Sequence, residues 1–159
     1  MTIAARLRQY LDGAGVGYDA VPHPRATTSA GSAHAAHVPG AKVAKPVVVH
    51  HEEGYVLAVV PSTHHVELGA LRDVLGRRPG LATEAEIARL FDDCEVGAVP
   101  PVGAAYGLPV LLDESLDGAP DLYFEGGDHT MLVHVGGDAF RALMRDARRA
   151  RFSHPAAGA

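Results

Sequence analysis

What most restricts the folds open to this chain is a pair of β-branched runs, residues 43–50 and 55–60, separated only by His51-Glu52-Glu53-Gly54. Branching at Cβ suits a pleated, packed surface, and a short polar connector ending in glycine suits a chain reversal. The segment therefore predicts a β-hairpin. Within it, Pro46-Val47-Val48-Val49 reads as a buried strand.

The remaining segments predict what packs around that hairpin. Ile3, Leu7, Tyr10, Leu11 and Ala14 recur at helical spacing, and Gly13, Gly15 and Gly17 end the pattern. Residues 16–21 read as extended up to Pro22-His23-Pro24, and residues 27–36 as a helix behind Thr and Ser caps. Leu68, Leu71, Val74 and Leu75 share one helical face, and Thr83-Glu84-Ala85-Glu86 is a capping box opening a short helix. Residues 96–106 predict a structured loop. Residues 109–112, 121–124 and 131–135 predict three more strands, with Gly126-Gly127-Asp128 turning between the last two. Asp138 is expected to cap a last helix carrying Phe140, Leu143 and Met144, with Arg141, Arg145, Arg148 and Arg149 on its other positions. Strands and helices intermix without strict βαβ alternation, so the expected class is mixed α/β, a sheet with helices packed around it. One domain is expected over residues 1–151, with 152–159 a flexible tail.

Composition excludes several classes. A net charge of −5 argues against broad nucleic-acid binding, DNA included, which needs a basic face, although contact with one end of a nucleic acid stays open. Cys94 is single, so no internal disulfide can form and a reducing compartment fits. The N-terminus lacks a signal peptide's apolar stretch, and the run 56–61 is far shorter than the ~20 residues of a membrane helix. A cytoplasmic protein without membrane contact is expected.

Two lysines occur in the chain, Lys42 and Lys45. Lys45 stands at the mouth of the buried run, where an ammonium is costly to hold unless it meets an anion or a carbonyl. It either snorkels to solvent or handles a substrate; Lys42 reads as a solvated loop residue. Gly97-Ala98-Val99-Pro100-Pro101-Val102-Gly103 is either a rigid connector or a loop whose fixed amides stabilise an oxyanion or carbonyl. The ten histidines show no His-Glu-x-x-His or cysteine-paired spacing, so structural or surface roles are favoured over metal ligation, and no cofactor is expected. No serine lies in a Gly-x-Ser-x-Gly elbow. Cys94, among Asp92, Asp93 and Glu95, is expected to be an inert thiol. The arginines of the last helix form either a solvated face or a landing strip for phosphates.

Taken together, Val43-Ala44-Lys45-Pro46-Val47-Val48-Val49, the Gly97-x-x-x-Pro101 loop followed by Gly103, and Tyr123-Phe124-Glu125-Gly126-Gly127 resemble the YbaK/EbsC family, the prolyl-tRNA-synthetase-associated editing domain. The match extends over about residues 4–144. The resemblance implies a single mixed α/β domain on a twisted, largely antiparallel sheet. It also implies hydrolysis, in trans, of the ester joining a wrong amino acid to the 3′ end of a tRNA, without metal or side-chain nucleophile. In that reading Lys45 engages the terminal adenosine or its phosphate. Amides of Gly97, Ala98, Val99, Pro100 and Pro101 hold the carbonyl, and a water attacks with help from the substrate's ribose hydroxyl. Gly103, Glu125, Gly126, Gly127 and His129 are the substrate-binding candidates. The expected partners are the acceptor 3′ end of a mischarged tRNA and a candidate aminoacyl-tRNA synthetase.

The chain departs from family members that clear Cys-tRNA(Pro): Glu125 stands where they carry serine and Leu132 where they carry aspartate, so that substrate is not carried over. Glu125 either binds an α-ammonium or faces solvent. A rival of another class is a non-catalytic module that binds an aminoacyl or nucleotide group and acts through a protein partner. A histidine-ligated metal hydrolase is a third.

Overall fold

The computed structural model describes residues 2–157. The first half runs α1 (Ala5–Gly13), β1 (Asp19–Pro22), α2 (Ser29–Ala35), β2 (Ala44–His51), β3 (Gly54–Pro61), β4 (His64–Val66) and α3 (Leu68–Leu75). The second half runs β5 (Gly80–Leu81), α4 (Glu84–Leu90), β6 (Val110–Asp113), β7 (Asp121–Glu125), β8 (Met131–Gly136), α5 (Gly137–Leu143), β9 (Arg148–Ala150) and β10 (Ser153–Pro155). Thr28 caps α2 by accepting from the Gly31 amide, and Thr83 with Glu86 closes the capping box of α4.

The hairpin forms as its pattern demands, with Ala44 opposite Pro61 and His51 opposite Gly54. It is the centre of a five-stranded sheet in the order β5-β2-β3-β6-β9, antiparallel on the hairpin side and parallel from β3 to β9. A three-stranded antiparallel sheet, β1-β8-β7, meets it through a parallel bridge between Val43 and Tyr123. The architecture is mixed α/β with a largely antiparallel sheet, as expected.

Alternation along β2 and β3 divides the core in two. Ala44, Val48, Leu57 and Val59 face the larger core, with Leu7 and Leu11 of α1, Phe91, Phe124 and Phe140. Val49, Val56, Ala58 and Val60 face a smaller one, closed by Leu71 of α3 and Phe152. Residues 56–61 of β3 are buried because both faces are covered.

Three expectations are corrected. Phe152 is fully buried, its amide donates to Asp113 Oδ1 at 2.9 Å, and β10 pairs with β4; residues 152–155 are docked, because the Phe152 ring closes the smaller core, and the last two residues of the expected tail lie outside the described residues. The last helix ends at Leu143, and Arg148 and Arg149 lie on β9, so the expected arginine stripe does not form. Gly136, not Asp138, holds the N-cap of α5, and Asp138 sits in its first turn.

Candidate active site

Most of the second edge of β2 is open. β5 pairs with it only at Val49 and His50, and Tyr123 bridges it only at Val43. The Val48 carbonyl accepts from the Ala82 amide at 2.9 Å, so by strand alternation the Pro46 carbonyl faces the same open edge. Proline fits there because its missing N–H breaks no ladder bond.

Two hollows adjoin along this edge. The first, of about 260 Å³, is lined by Ser29, Pro46, Val47, Val48, Leu81, Ala82, Ile87, Gly97 and Val99. The second, of about 230 Å³, is lined by Lys45, Val47, His65, Val66, Leu68 and Leu81. Val47 and Leu81 belong to both and form the ridge between them.

Lys45 projects from the face of β2 opposite Ala44 and Val48. Its ammonium donates to the His64 carbonyl at 3.2 Å, and no carboxylate pairs with it among the described residues. Burial lowers its pKa from the usual lysine value, as expected for a cation without a counter-charge. Lys42 is its opposite: Asp121 holds its ammonium at 2.7 Å and raises its pKa. Lys42 is a structural ion pair, whereas Lys45 has charge to offer.

The loop supplies fewer donors than its length suggests. Pro100 and Pro101 have no N–H, and the Ala98 amide already donates to the Glu95 carbonyl at 3.1 Å. Gly97 and Val99 are left, and both line the first hollow. Ala98, Val99, Pro100 and Pro101 are buried and Gly97 is exposed, so the loop is an anchored arch with glycine at its apex. Gly97 has φ +90°, and a Cβ there would lie 2.9 Å from the Thr27 carbonyl oxygen and 3.0 Å from His129 Cε1.

The other sequence candidates stand behind this edge rather than in it. Gly103 is buried in a tight turn where a Cβ would collide with the Leu108 carbonyl oxygen, so packing alone accounts for it. Gly126 and Gly127 hold the start of α1: the Ala4 amide donates to the Gly126 carbonyl, and a Gly127 Cβ would press on Ala4. His129 is buried with φ +66°, its Nε2 2.8 Å from the Val96 carbonyl oxygen, and its ring backs Gly97. Its role in the fold is to prop the arch.

Glu125 is fully buried at the end of β7, which corrects the solvent-facing alternative. Its Oε2 accepts from Ser32 Oγ at 3.2 Å, and Oε1 has no partner among the described residues. Burial pushes its pKa up to about 8, against which the Ser32 hydrogen bond acts only in part. A carboxyl in that state is neutral around pH 7.

Cys94 is held by Asp93 and Tyr106, and burial pushes its thiol up to about 12, which suppresses the thiolate. Sequence reasoning missed Leu81, His65 and Ser29 as lining residues. The two-residue strand carrying Leu81 has no periodicity to reveal it, and Ser29 reads only as a helix-start residue.

With this geometry in place, comparison with known proteins identifies the fold and its class. Residues 23–143 match the model of the aminoacyl-tRNA editing domain, and the chain belongs to that family. Among solved structures, one provisionally described as a trans-editing enzyme for prolyl tRNA synthetase superposes with a TM-score of 0.83 at 29% identity, covering 95% of this chain and 96% of that one. A scaffold used for computational grafting of linear epitopes matches equally well, with a TM-score of 0.83, 29% identity and coverage of 95% and 97%. The hypothetical protein APE2540 shares the fold at 20% identity, with a TM-score of 0.82 over 94% of this chain and 99% of that one. No curated protein sequence matches the chain significantly. Among the described residues no helix is long and apolar enough to cross a membrane.

Proposed function

We propose that the protein deacylates mischarged aminoacyl-tRNA in trans by hydrolysing the ester at the 3′ end. The observation that carries this reading is the adjacency, across one ridge, of a lysine with no carboxylate partner and an arch with two amides that meet no acceptor among the described residues. Membership in an editing-domain family and likeness to a protein described as a trans-editing enzyme support it.

In this mechanism the aminoacyl group enters the first hollow and its carbonyl oxygen approaches the Gly97 and Val99 amides. Lys45 holds the anionic side of the terminal nucleotide. Water adds to the ester carbon, and the negative charge that develops on the carbonyl oxygen is met by donors already in place. Collapse breaks the bond from carbon to ribose oxygen. The water's proton reaches that oxygen through the neighbouring ribose hydroxyl, releasing the amino acid and an uncharged tRNA end. An ester is already activated, so positioning and electrostatic stabilisation suffice without a side-chain nucleophile. Glu125, protonated and buried, and His129, tied to Val96, serve as support in this scheme rather than as bases.

The test is a panel of mischarged tRNAs incubated with stoichiometric and then catalytic protein. At least one should lose its amino acid, and Lys45→Ala should slow that reaction by about 10²-fold or more, the scale of losing a substrate-positioning contact. An intact panel sinks the proposal; saturable binding without turnover would support a binding module acting through a partner. The acidic net charge fits contact restricted to the acceptor end, alone or shared with a synthetase.

A further inference from the structure

Lys45 is aimed by a backbone carbonyl, and the groups that fix that carbonyl lie outside both hollows along β2. The acceptor belongs to His64 of β4, a strand of three residues. Among the described residues β4 has one ladder partner, β10. The Glu67 amide donates to the Phe152 carbonyl, and the Ala156 amide to the Thr63 carbonyl, so residues 63, 65 and 67 turn their peptide groups toward β10. The His64 carbonyl therefore points the other way, toward Lys45. Pro155 stands opposite His64, where its missing N–H breaks no ladder bond.

The ring of the same histidine is held as well. His64 Nδ1 lies 2.8 Å from Ser153 Oγ. Ser153 is buried, and its hydroxyl reaches Asp113, the buried carboxylate at the end of β6. Burial opposes the charge on Asp113, yet hydrogen bonds from Ser115, the Phe152 amide and Ser153 outweigh it and hold its pKa below the usual value. A carboxylate only accepts, so the Ser153 hydroxyl donates to Asp113 and its oxygen accepts from His64 Nδ1–H. The His64 ring is thus tied to the central sheet through one serine. His64, Ser153 and Asp113 line a third hollow, of about 400 Å³, which shares no lining residue with the other two.

We propose that Ser153 is a positioning residue for Lys45: by joining His64 to Asp113 it holds the carbonyl that aims the ammonium along the edge of β2. The proposal deepens the deacylase reading and rests on it for the use to which that aim is put. Rotation along the flexible lysine stem scatters an ammonium, so a site that works by positioning needs a partner that selects one rotamer. No carboxylate does so among the described residues; the His64 carbonyl does, at 3.2 Å. A carbonyl also leaves the positive charge for an incoming anion, which a carboxylate such as the Asp121 partner of Lys42 would cancel. Docking of the C-terminal segment and the readiness of Lys45 then become one event.

The test is NMR of the full chain carrying isotope-labelled lysine, beside single-turnover deacylation. Two lysines give two side-chain signals, and Lys42→Arg assigns them. Lys45 should titrate below the ordinary lysine value and Lys42 above it. Ser153→Ala and His64→Ala both cut the tie. Each should shift the Lys45 signal and raise its titration midpoint toward the ordinary value, as a released side chain regains water, while Lys42 stays in place. Ser153→Thr, which keeps the hydroxyl, should restore the wild-type signal, and the double alanine variant should go no further than either single one. On a mischarged tRNA that the wild type deacylates, each alanine variant should slow the reaction about tenfold. In a Lys45→Ala background it should add less than about twofold, because the tie acts only through the lysine.

A Lys45 signal unmoved in both folded variants overturns the proposal. So does an equal movement of Lys42, or a rate loss of the same size with and without Lys45, since either marks a general loosening of the chain. Because the lysine signals need no turnover, the two readings fail separately. Lys45 displaced in a chain that deacylates nothing removes the deacylase and keeps the tie. Deacylation at the wild-type rate in both variants removes the positioning role and keeps the deacylase.

Discussion

At Gly97 three demands coincide: a positive φ, a carbonyl oxygen 2.9 Å from where a Cβ would stand, and the His129 ring behind it. Gly97→Ala should therefore destabilise the chain by about 1–3 kcal/mol and displace the arch, with a larger loss in deacylation than in melting temperature. Thermal melts beside single-turnover rates check this; an active, fully stable variant would remove the arch from the mechanism. Glu125 makes the second demand at this scale. Its folded pKa of about 8 lies above the ordinary 4.5, so between these values the folded chain holds a proton that the unfolded chain has released. That contribution is full below about pH 4.5, declines by up to ~1.4 kcal/mol per unit as pH rises, and is gone above about pH 8. Glu125→Gln, permanently neutral, should flatten this decline and melt higher than the wild type at pH 8. Parallel melting curves against pH for the two proteins would show that the burial of Glu125 is not felt as charge. Lys45 and Glu125 are legible in the sequence as unusual residues, but not their states. Each state depends on what the fold packs around the group, a carbonyl and no carboxylate for one, apolar burial for the other.

Among the elements, the hairpin, α1, the capped α4 and the strands β6 to β8 follow from local pattern, because alternation, helical spacing and caps are properties of short segments. β4, β5, β9 and β10 do not. They are two or three residues long, and their ladders exist only because distant segments are brought alongside: β10 against β4, β9 beside β6, β5 at one end of β2. Arg141 lies on α5 as expected, but Arg145, Arg148 and Arg149 fall beyond it for the same reason, since helical spacing continues on paper after the chain has left the helix. Phe152 carries the consequence at this scale. Truncating it to alanine should cost about 3–5 kcal/mol, the loss for a buried aromatic, and should loosen α3 together with β10. Denaturant unfolding checks this, and an unchanged midpoint would restore the picture of a loose tail.

For the molecule as a whole, the relevant contrast is between an acidic chain and the anionic substrate of the proposed reaction. With one uncommitted lysine at the site, the protein should neutralise one or two phosphates. Affinity for a charged 3′ end should then fall with salt at a slope of about −0.7 to −1.4 in log–log terms, the single-strand dependence per phosphate. Binding titrations over a range of salt measure it, and a slope several times steeper would reveal a larger basic footprint. The class of fold, the central hairpin and the family were legible in the sequence, and the lysine and loop segments stood out in it, because each is written in local pattern or a short motif. Tertiary structure alone decided which members of those segments line the two hollows beside β2. It gave Gly103, Gly126 and Gly127 packing roles, placed His129 behind the arch, left two amides of the loop without an acceptor among the described residues, and set Leu68 and Leu81 beside Lys45. The physical reason is that a site's donors, charges and walls are defined by what the rest of the chain has already satisfied or covered, and that is a property of the assembled fold.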